Sequence, residues 1–193
     1  MTVSQDVLVQ FGRDNVMVGI AGYYVAPEGT QHVIVGFRDG TLTEVYWKTG
    51  QGVHQDTLAR FSNGVVGVGG YYDSKEGSQH AVIGTRDGQL IELYWKSGQG
   101  VHQDVLTSFT SSFTFGGISG YYVPTEDTQH VIVGTNDNHL TEGYWKTGQG
   151  VHQDVLASFP DGIGAVGGYF VAGENAQHAI IGSFDGRLIE LYW

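Results

Sequence analysis

Short apolar runs alternate with glycine-rich or polar punctuation along the whole chain. The run His32-Val33-Ile34-Val35 is followed by Asp39-Gly40, then by Leu42-Thr43-Glu44-Val45-Tyr46-Trp47. Runs this short, bounded by turn residues and rich in β-branched and aromatic side chains, predict strands. Asp-Gly between two of them predicts a hairpin, because glycine tolerates the positive φ that tight turns need. Leu42 to Trp47 has apolar residues on both faces, as expected of a strand packed between two neighbours rather than half in water. A Gly-rich aromatic run, Gly19 to Val25, precedes the first of these. Another run, Val53 to Phe61, follows the last across the loop Lys48-Thr49-Gly50-Gln51-Gly52. Four strands are therefore predicted, in one unit of sequence.

That unit recurs. QHVIVGFRDGTLTEVYWKTGQGVHQD from Gln31 returns as QHAVIGTRDGQLIELYWKSGQGVHQD from Gln79 and as QHVIVGTNDNHLTEGYWKTGQGVHQD from Gln129, and QHAIIGSFDGRLIELYW runs from Gln177 to Trp193. Trp47, Trp95, Trp145 and Trp193 lie 48, 50 and 48 residues apart. Four copies of about 48 residues, each too small to bury its own apolar faces, predict blades that cover one another. The expected fold is all-β: a four-bladed β-propeller with four-stranded blades, one domain over residues 1–193. The part missing from the fourth copy has a counterpart at the other end of the chain. Val3-Ser4-Gln5-Asp6-Val7-Leu8 matches Val101-His102-Gln103-Asp104-Val105-Leu106 with one change. Residues 3–11 are thus expected to complete the fourth blade and close the ring, removing an exposed sheet edge.

A finer period lies over this one. Phe11 to Gly22 and Phe109 to Gly120 each span 11 positions, whereas Phe61 to Gly70 and Phe159 to Gly168 span 9. The odd copies read Leu-Thr-Glu and the even copies Leu-Ile-Glu. The ring is expected to be two pairs of blades rather than four equals.

Composition narrows the function. The chain of 193 residues carries 31 Gly but only 3 Pro, which suits a turn-rich β-protein rather than a disordered one. Its net charge of −11 disfavours nucleic acid and anionic membrane as partners, since few cations are available to displace phosphate counterions. With no cysteine there are no disulfides, thiolate metal sites or thiol nucleophiles. The N-terminus shows neither a signal-peptide pattern nor a long apolar run, so no membrane insertion is expected. Residence is read as cytoplasmic, or secreted without a visible signal peptide.

Several chemistry-bearing positions recur from copy to copy. Glu44, Glu92, Glu142 and Glu190 occupy the third strand, followed by Tyr46, Tyr94 and Tyr144, then by Trp47, Trp95, Trp145 and Trp193. Past the glycine loop come His54, His102 and His152, then Gln55, Gln103 and Gln153, then Asp56, Asp104 and Asp154. Read structurally, Asp39 and its equivalents are turn residues and His32 a hydrogen-bonded core histidine. Tyr46 and Trp47 then fill the space between blades, and Glu44 and His54 tie neighbouring blades. Read functionally, the set has the composition of a repeated carbohydrate site. Aromatic rings stack on the apolar C–H face of a sugar, and carboxylates, amides and imidazoles pair with its hydroxyls. Weak sites repeated between or at the edges of blades would add through avidity. The fourth site is expected to differ, because Ser4 stands where the others have histidine. No motif of a zinc protease, a serine hydrolase or a phosphate-binding loop is present, and catalysis would call for one asymmetric constellation rather than recurring residues. The chain is read as not an enzyme.

The repeats, and above all the D-G-x-L-x-E-x-Y-W stretch, resemble those of β-propeller lectins of the tectonin-like and fucose-binding types. That resemblance implies a multivalent glycan-binding protein with no cofactor. Most such lectins have five to seven blades, which leaves open a homodimer in which two chains combine into a larger ring. The four-blade count is also similar to hemopexin-type domains, although their repeat motif and closing disulfide are not found here. That second resemblance implies a non-catalytic protein-interaction or ion-holding scaffold, with a cation in the central channel as its one cofactor.

Overall fold

The computed structural model describes residues 6–109 and 115–193. The protein is all-β, with no helix among the described residues, and its four antiparallel sheets are the blades of a four-bladed β-propeller. Blade one contains β1 (Met17–Val25), β2 (Thr30–Phe37), β3 (Thr41–Trp47) and β4 (Val53–Arg60). Blade two contains β5 (Val65–Asp73), β6 (Ser78–Thr85), β7 (Gln89–Trp95) and β8 (His102–Ser108). Blade three contains β9 (Phe115–Val123), β10 (Thr128–Thr135), β11 (His139–Trp145) and β12 (His152–Ser158). Blade four contains β13 (Ile163–Val171), β14 (Ala176–Ser183) and β15 (Leu188–Tyr192). Each blade is a meander in chain order, so the short loops between runs suffice to build it.

The turns adopt the backbone their residues predict. Gly40, Gly88 and Gly186 have φ of 92°, 84° and 86°, and Asn138, which replaces glycine in the third copy, has φ 69°. Asparagine is among the few side-chain-bearing residues that tolerate this region.

The core lies between blades, not within them. Ile34 and Leu42 of blade one pack with Val65, Val68, Ile83 and Trp95 of blade two. Tyr71, Val82 and Leu90 of blade two meet Ile118, Val131 and Trp145 of blade three. Tyr121, Ile132 and Leu140 of blade three meet Ile163, Ala179 and Ile181 of blade four. The two-sided apolar pattern of the middle strands follows from this arrangement.

Inner strands β1, β5, β9 and β13 lie side by side in that order. Glycine makes this possible where backbones nearly touch: a Cβ on Gly69 would come 2.6 Å from the backbone nitrogen of Gly120. The pairwise period of the sequence has a structural counterpart here. Tyr23 donates to Gln79 Oε1 at 3.0 Å and Tyr121 to Gln177 Oε1 at 2.8 Å, linking blades one to two and three to four. Between blades two and three, Gln129 instead donates to Asp73 at 3.2 Å, because Asp73 stands where the other blades have Val25, Val123 and Val171.

The expected closing strand, residues 3–11, lies partly outside the described residues. Its described part, residues 6–11, is not in a strand, and the fourth sheet has three strands among the described residues. Phe11 instead packs edge-on against Phe37 of blade one, ring centres 4.9 Å apart.

Candidate ligand-binding clefts

Register aligns four rings across each complete blade. In blade one Tyr23 pairs with His32, His32 with Tyr46 and Tyr46 with His54, one residue from each strand. Since paired residues share a face of the sheet, the rings stack in a row at 5.3, 5.6 and 5.1 Å. Blade two repeats the row as Tyr71, His80, Tyr94 and His102, and blade three as Tyr121, His130, Tyr144 and His152. Blade four carries Tyr169, His178 and Tyr192.

A glutamate anchors each row, buried in blades one to three and exposed in blade four. His32, His80 and His130 hold Nδ1 at 2.8 Å from Glu44, Glu92 and Glu142, and His178 lies 3.0 Å from Glu190. With Nδ1–H donating to the carboxylate, Nε2 accepts from a hydroxyl two residues upstream: Thr30 at 2.7 Å, Ser78 at 2.7 Å and Thr128 at 2.6 Å. Blade four has Ala176 at that position, and His178 Nε2 has no hydrogen bond, with Glu174 3.4 Å away. Tyr71 donates to Glu92 at 3.0 Å, while the phenols of Tyr23 and Tyr121, which have their shorter contacts to Gln79 and Gln177, lie 3.3 Å from Glu44 and Glu142. Burial, reinforced by the neighbouring carboxylate, pushes the phenols of Tyr23, Tyr71 and Tyr121 well above the ordinary range. Tyr46, Tyr94 and Tyr144 are raised too, by burial first and then by Asp56, Asp104 and Asp154. All six phenols therefore remain protonated donors at neutral pH.

Two clefts of the same construction open between successive blades. One, of about 440 Å³, is lined by His80, Glu92, Tyr94 and Asp104 of blade two and by Trp145, Thr147 and the Gly148-Gln149-Gly150-Val151 loop of blade three. The other, of about 400 Å³, is lined by His32, Glu44, Tyr46 and Asp56 of blade one and by Trp95 with the Lys96-to-Gln99 loop and Val101 of blade two. Each thus takes its carboxylates and phenol from one blade and its indole and glycine loop from the next. The residues of one sequence repeat are split between two clefts, because the blades stack face to face.

The remaining candidates fall elsewhere. Trp95 and Trp145 are cleft walls but also buried members of the inter-blade core. Trp47, Trp193 and Glu190 line neither cleft. Glu142 and Tyr144 sit at the corresponding positions of blade three. His54, His102 and His152 cap the ring rows on the outer strands, and Gln55 and Gln103 are exposed there. Gln153 donates to Thr107 of blade two at 2.6 Å, and with Asp154 it lines a smaller recess of about 220 Å³ beside His139. His139 itself sits 3.0 Å from Asp137. Ser4 lies outside the described residues. The row histidines His32 and His80, read from sequence as core residues, are buried and yet edge the clefts. Among the described residues no three His, Asp or Glu side chains are grouped closely enough to hold a metal ion. Among the described residues no helix is long and apolar enough to cross a membrane.

No protein-family model matches the chain, and no curated protein matches it. Solved structures share its fold. AofleA from Arthrobotrys oligospora superposes with a TM-score of 0.67 at 14% identity, over 95% of this chain and 56% of that one. The SapL1 lectin, in complex with alpha methyl fucoside, gives 0.66 at 17% identity over 93% of this chain and 60% of that one. BBS1N, in complex with ARL6DN, gives 0.63 at 14% identity over 94% and 53%. The chain thus spans little more than half the length of these proteins, and at such identities the likeness establishes the fold alone.

Proposed function

We propose that this protein is a multivalent, non-catalytic carbohydrate-binding protein whose sites are the clefts between successive blades. The observation that supports the reading is the recurrence of one lining in two places: Glu44, Tyr46, Asp56 and Trp95 in one cleft, Glu92, Tyr94, Asp104 and Trp145 in the other. Hydroxyl-rich ligands need acceptors and donors arranged beside an apolar surface, and each cleft offers carboxylates, a protonated phenol, a Gln–Gly loop and the edge of an indole. Asp56 and Asp104 are the exposed acceptors, each beside the phenol of its own cleft, whereas Glu44 already accepts from histidine and Glu92 from histidine and tyrosine. That prior engagement also argues against catalysis, which would need a carboxylate free to take or give a proton. The binding of alpha methyl fucoside by the SapL1 lectin makes that glycoside a reasonable first ligand to try.

The test is a glycan array with the purified protein, followed by titration calorimetry of each hit. Binding should weaken at least tenfold in an Asp56→Asn, Asp104→Asn double variant that keeps the native circular dichroism. A blank across plant, fungal and animal glycans would overturn the reading.

A further inference from the structure

Among the described residues three inter-blade interfaces are formed, and the two faces that would make a fourth are bare. On blade four Leu188 is 79% exposed, whereas its equivalents Leu42, Leu90 and Leu140 are 0%, 1% and 0% exposed. On blade one Ile20 is 67% exposed against 7% for its equivalent Ile118. The glycines tell the same story. Gly69 of blade two is required by the backbone of Ser119 and Gly120, and Gly120 in turn by the ring of Tyr71, 2.8 Å from an added Cβ. Gly167 holds the position of Gly69 in blade four, and an added Cβ there meets nothing within 4 Å. Gly22 holds the position of Gly120 in blade one, and its Cβ would meet only atoms of its own blade.

We propose that a second copy of this chain covers these faces, blade four of each copy packing on blade one of the other. The interface is a continuation of one already present in the chain. Its type follows from the pairwise period: blade four to blade one repeats the join of blade two to blade three. Gly167 comes against Ala21 and Gly22, Tyr169 against Gly22, and Leu188 into the core that Leu90 occupies. The polar links of that join are not carried over, since Val171 and Gly173 replace Asp73 and Lys75; the seam is closed by apolar contact. Residues 6–16 do not compete for blade four, because Phe11 and the carbonyl of Val16 are held on blade one, the latter accepting from the Arg38 amide at 2.9 Å. In this arrangement the head-to-tail contact is made twice, so both bare faces of each copy are covered.

The second copy also contributes to a binding site. By the construction of the other clefts, Glu190 and Tyr192 of one copy would face Trp47 and the Lys48-to-Gly52 loop of the other. Blade one displays this loop without a preceding blade in its own chain. The occupancy of that composite cleft rests on the glycan reading; the assembly does not.

Light scattering coupled to size exclusion tests the assembly, over about 1 to 100 µM because dimer mass depends on concentration. The expected mass is twice the 20.9 kDa of the chain. Leu188→Asp and Gly167→Val should each return it to a single chain with unchanged circular dichroism, since neither position is covered by the described residues of its own chain. A single-chain mass for the unaltered protein throughout this range overturns the proposal, as does an oligomer that survives both substitutions. A dimer that binds no glycan supports the assembly and sinks only the carbohydrate reading.

Discussion

His80 Nδ1 lies 2.8 Å from Glu92 Oε1 in the buried centre of blade two, and Tyr71 donates to the same oxygen from 3.0 Å. Three elements of one blade, β5, β6 and β7, are thereby joined at one carboxylate. Removing that carboxylate strands two donors with no access to water. Glu92→Ala is expected to cost roughly 2–6 kcal/mol, about 1–3 kcal/mol for each buried donor left without a partner. The same change at Glu190, whose side chain is 48% exposed against 6% for Glu92, should cost less than about 1 kcal/mol, because water replaces the lost partner. Urea denaturation of the two variants gives the comparison. Equal losses would show that burial does not set the strength of these pairs.

Blade four also lacks the hydroxyl that completes the row elsewhere. Ala176→Ser would place an O–H where Ser78 meets His80 at 2.7 Å, giving His178 Nε2 its missing donor. A gain of about 0.5–1.5 kcal/mol is expected, the net worth of one such hydrogen bond. Thermal unfolding of the single-residue variant measures it, and a loss of stability would mean that Nε2 is not an acceptor here but carries the hydrogen and donates it towards Glu174.

The repeat and its turns were legible because they depend on neighbours in sequence. Asp39-Gly40 and its equivalents form the expected hairpins, with Asn138 in place of glycine; the first loop is three residues, Arg38-Asp39-Gly40, and needs positive φ only at its last one. The 11-and-9 alternation set odd copies apart from even ones, and the link between blades two and three differs from the other two because Asp73 stands in place of valine. His32 was rightly placed in the core, but its partner was not foreseen: Glu44 was expected to tie neighbouring blades, yet it binds the histidine of its own blade. Nor did the sequence show that Trp95 serves the cleft of Tyr46 rather than that of Tyr94. That adjacency arises when sheets stack about 48 residues apart in sequence, and no local pattern encodes which face meets which.

The raised phenols set an alkaline limit. Tyr23, Tyr71 and Tyr121 have folded pKa values above their unfolded ones, by burial first and then by the adjacent glutamates. Below the unfolded value of about 10 both states hold the proton and stability is independent of these groups. Above it the unfolded chain releases protons that the folded one keeps, so stability falls as pH rises. Each such tyrosine contributes up to about 1.4 kcal/mol per pH unit in that window. Melting temperatures from pH 8 to pH 12, compared with those of Tyr71→Phe, should show a shallower decline in the variant. Identical slopes would place these phenols in water.

Trp95 is the obvious residue to mutate in a ligand test, and the structure argues against it. Its ring is part of the core between blades one and two, so Trp95→Ala should cost roughly 3–5 kcal/mol whatever the cleft binds. Asp56 and Asp104 are exposed and carry no comparable load, which lets each cleft be silenced separately. If the clefts are independent sites, Asp56→Asn should remove one class of site and leave the cleft of Tyr94 and Trp145 unaltered. Asp104→Asn should do the converse. Calorimetry reads this as a fall in stoichiometry at constant affinity for the remaining sites. A uniform loss of affinity at full stoichiometry, in either variant, would mean that the ligand sits elsewhere and that these aspartates act only through the net charge of the surface.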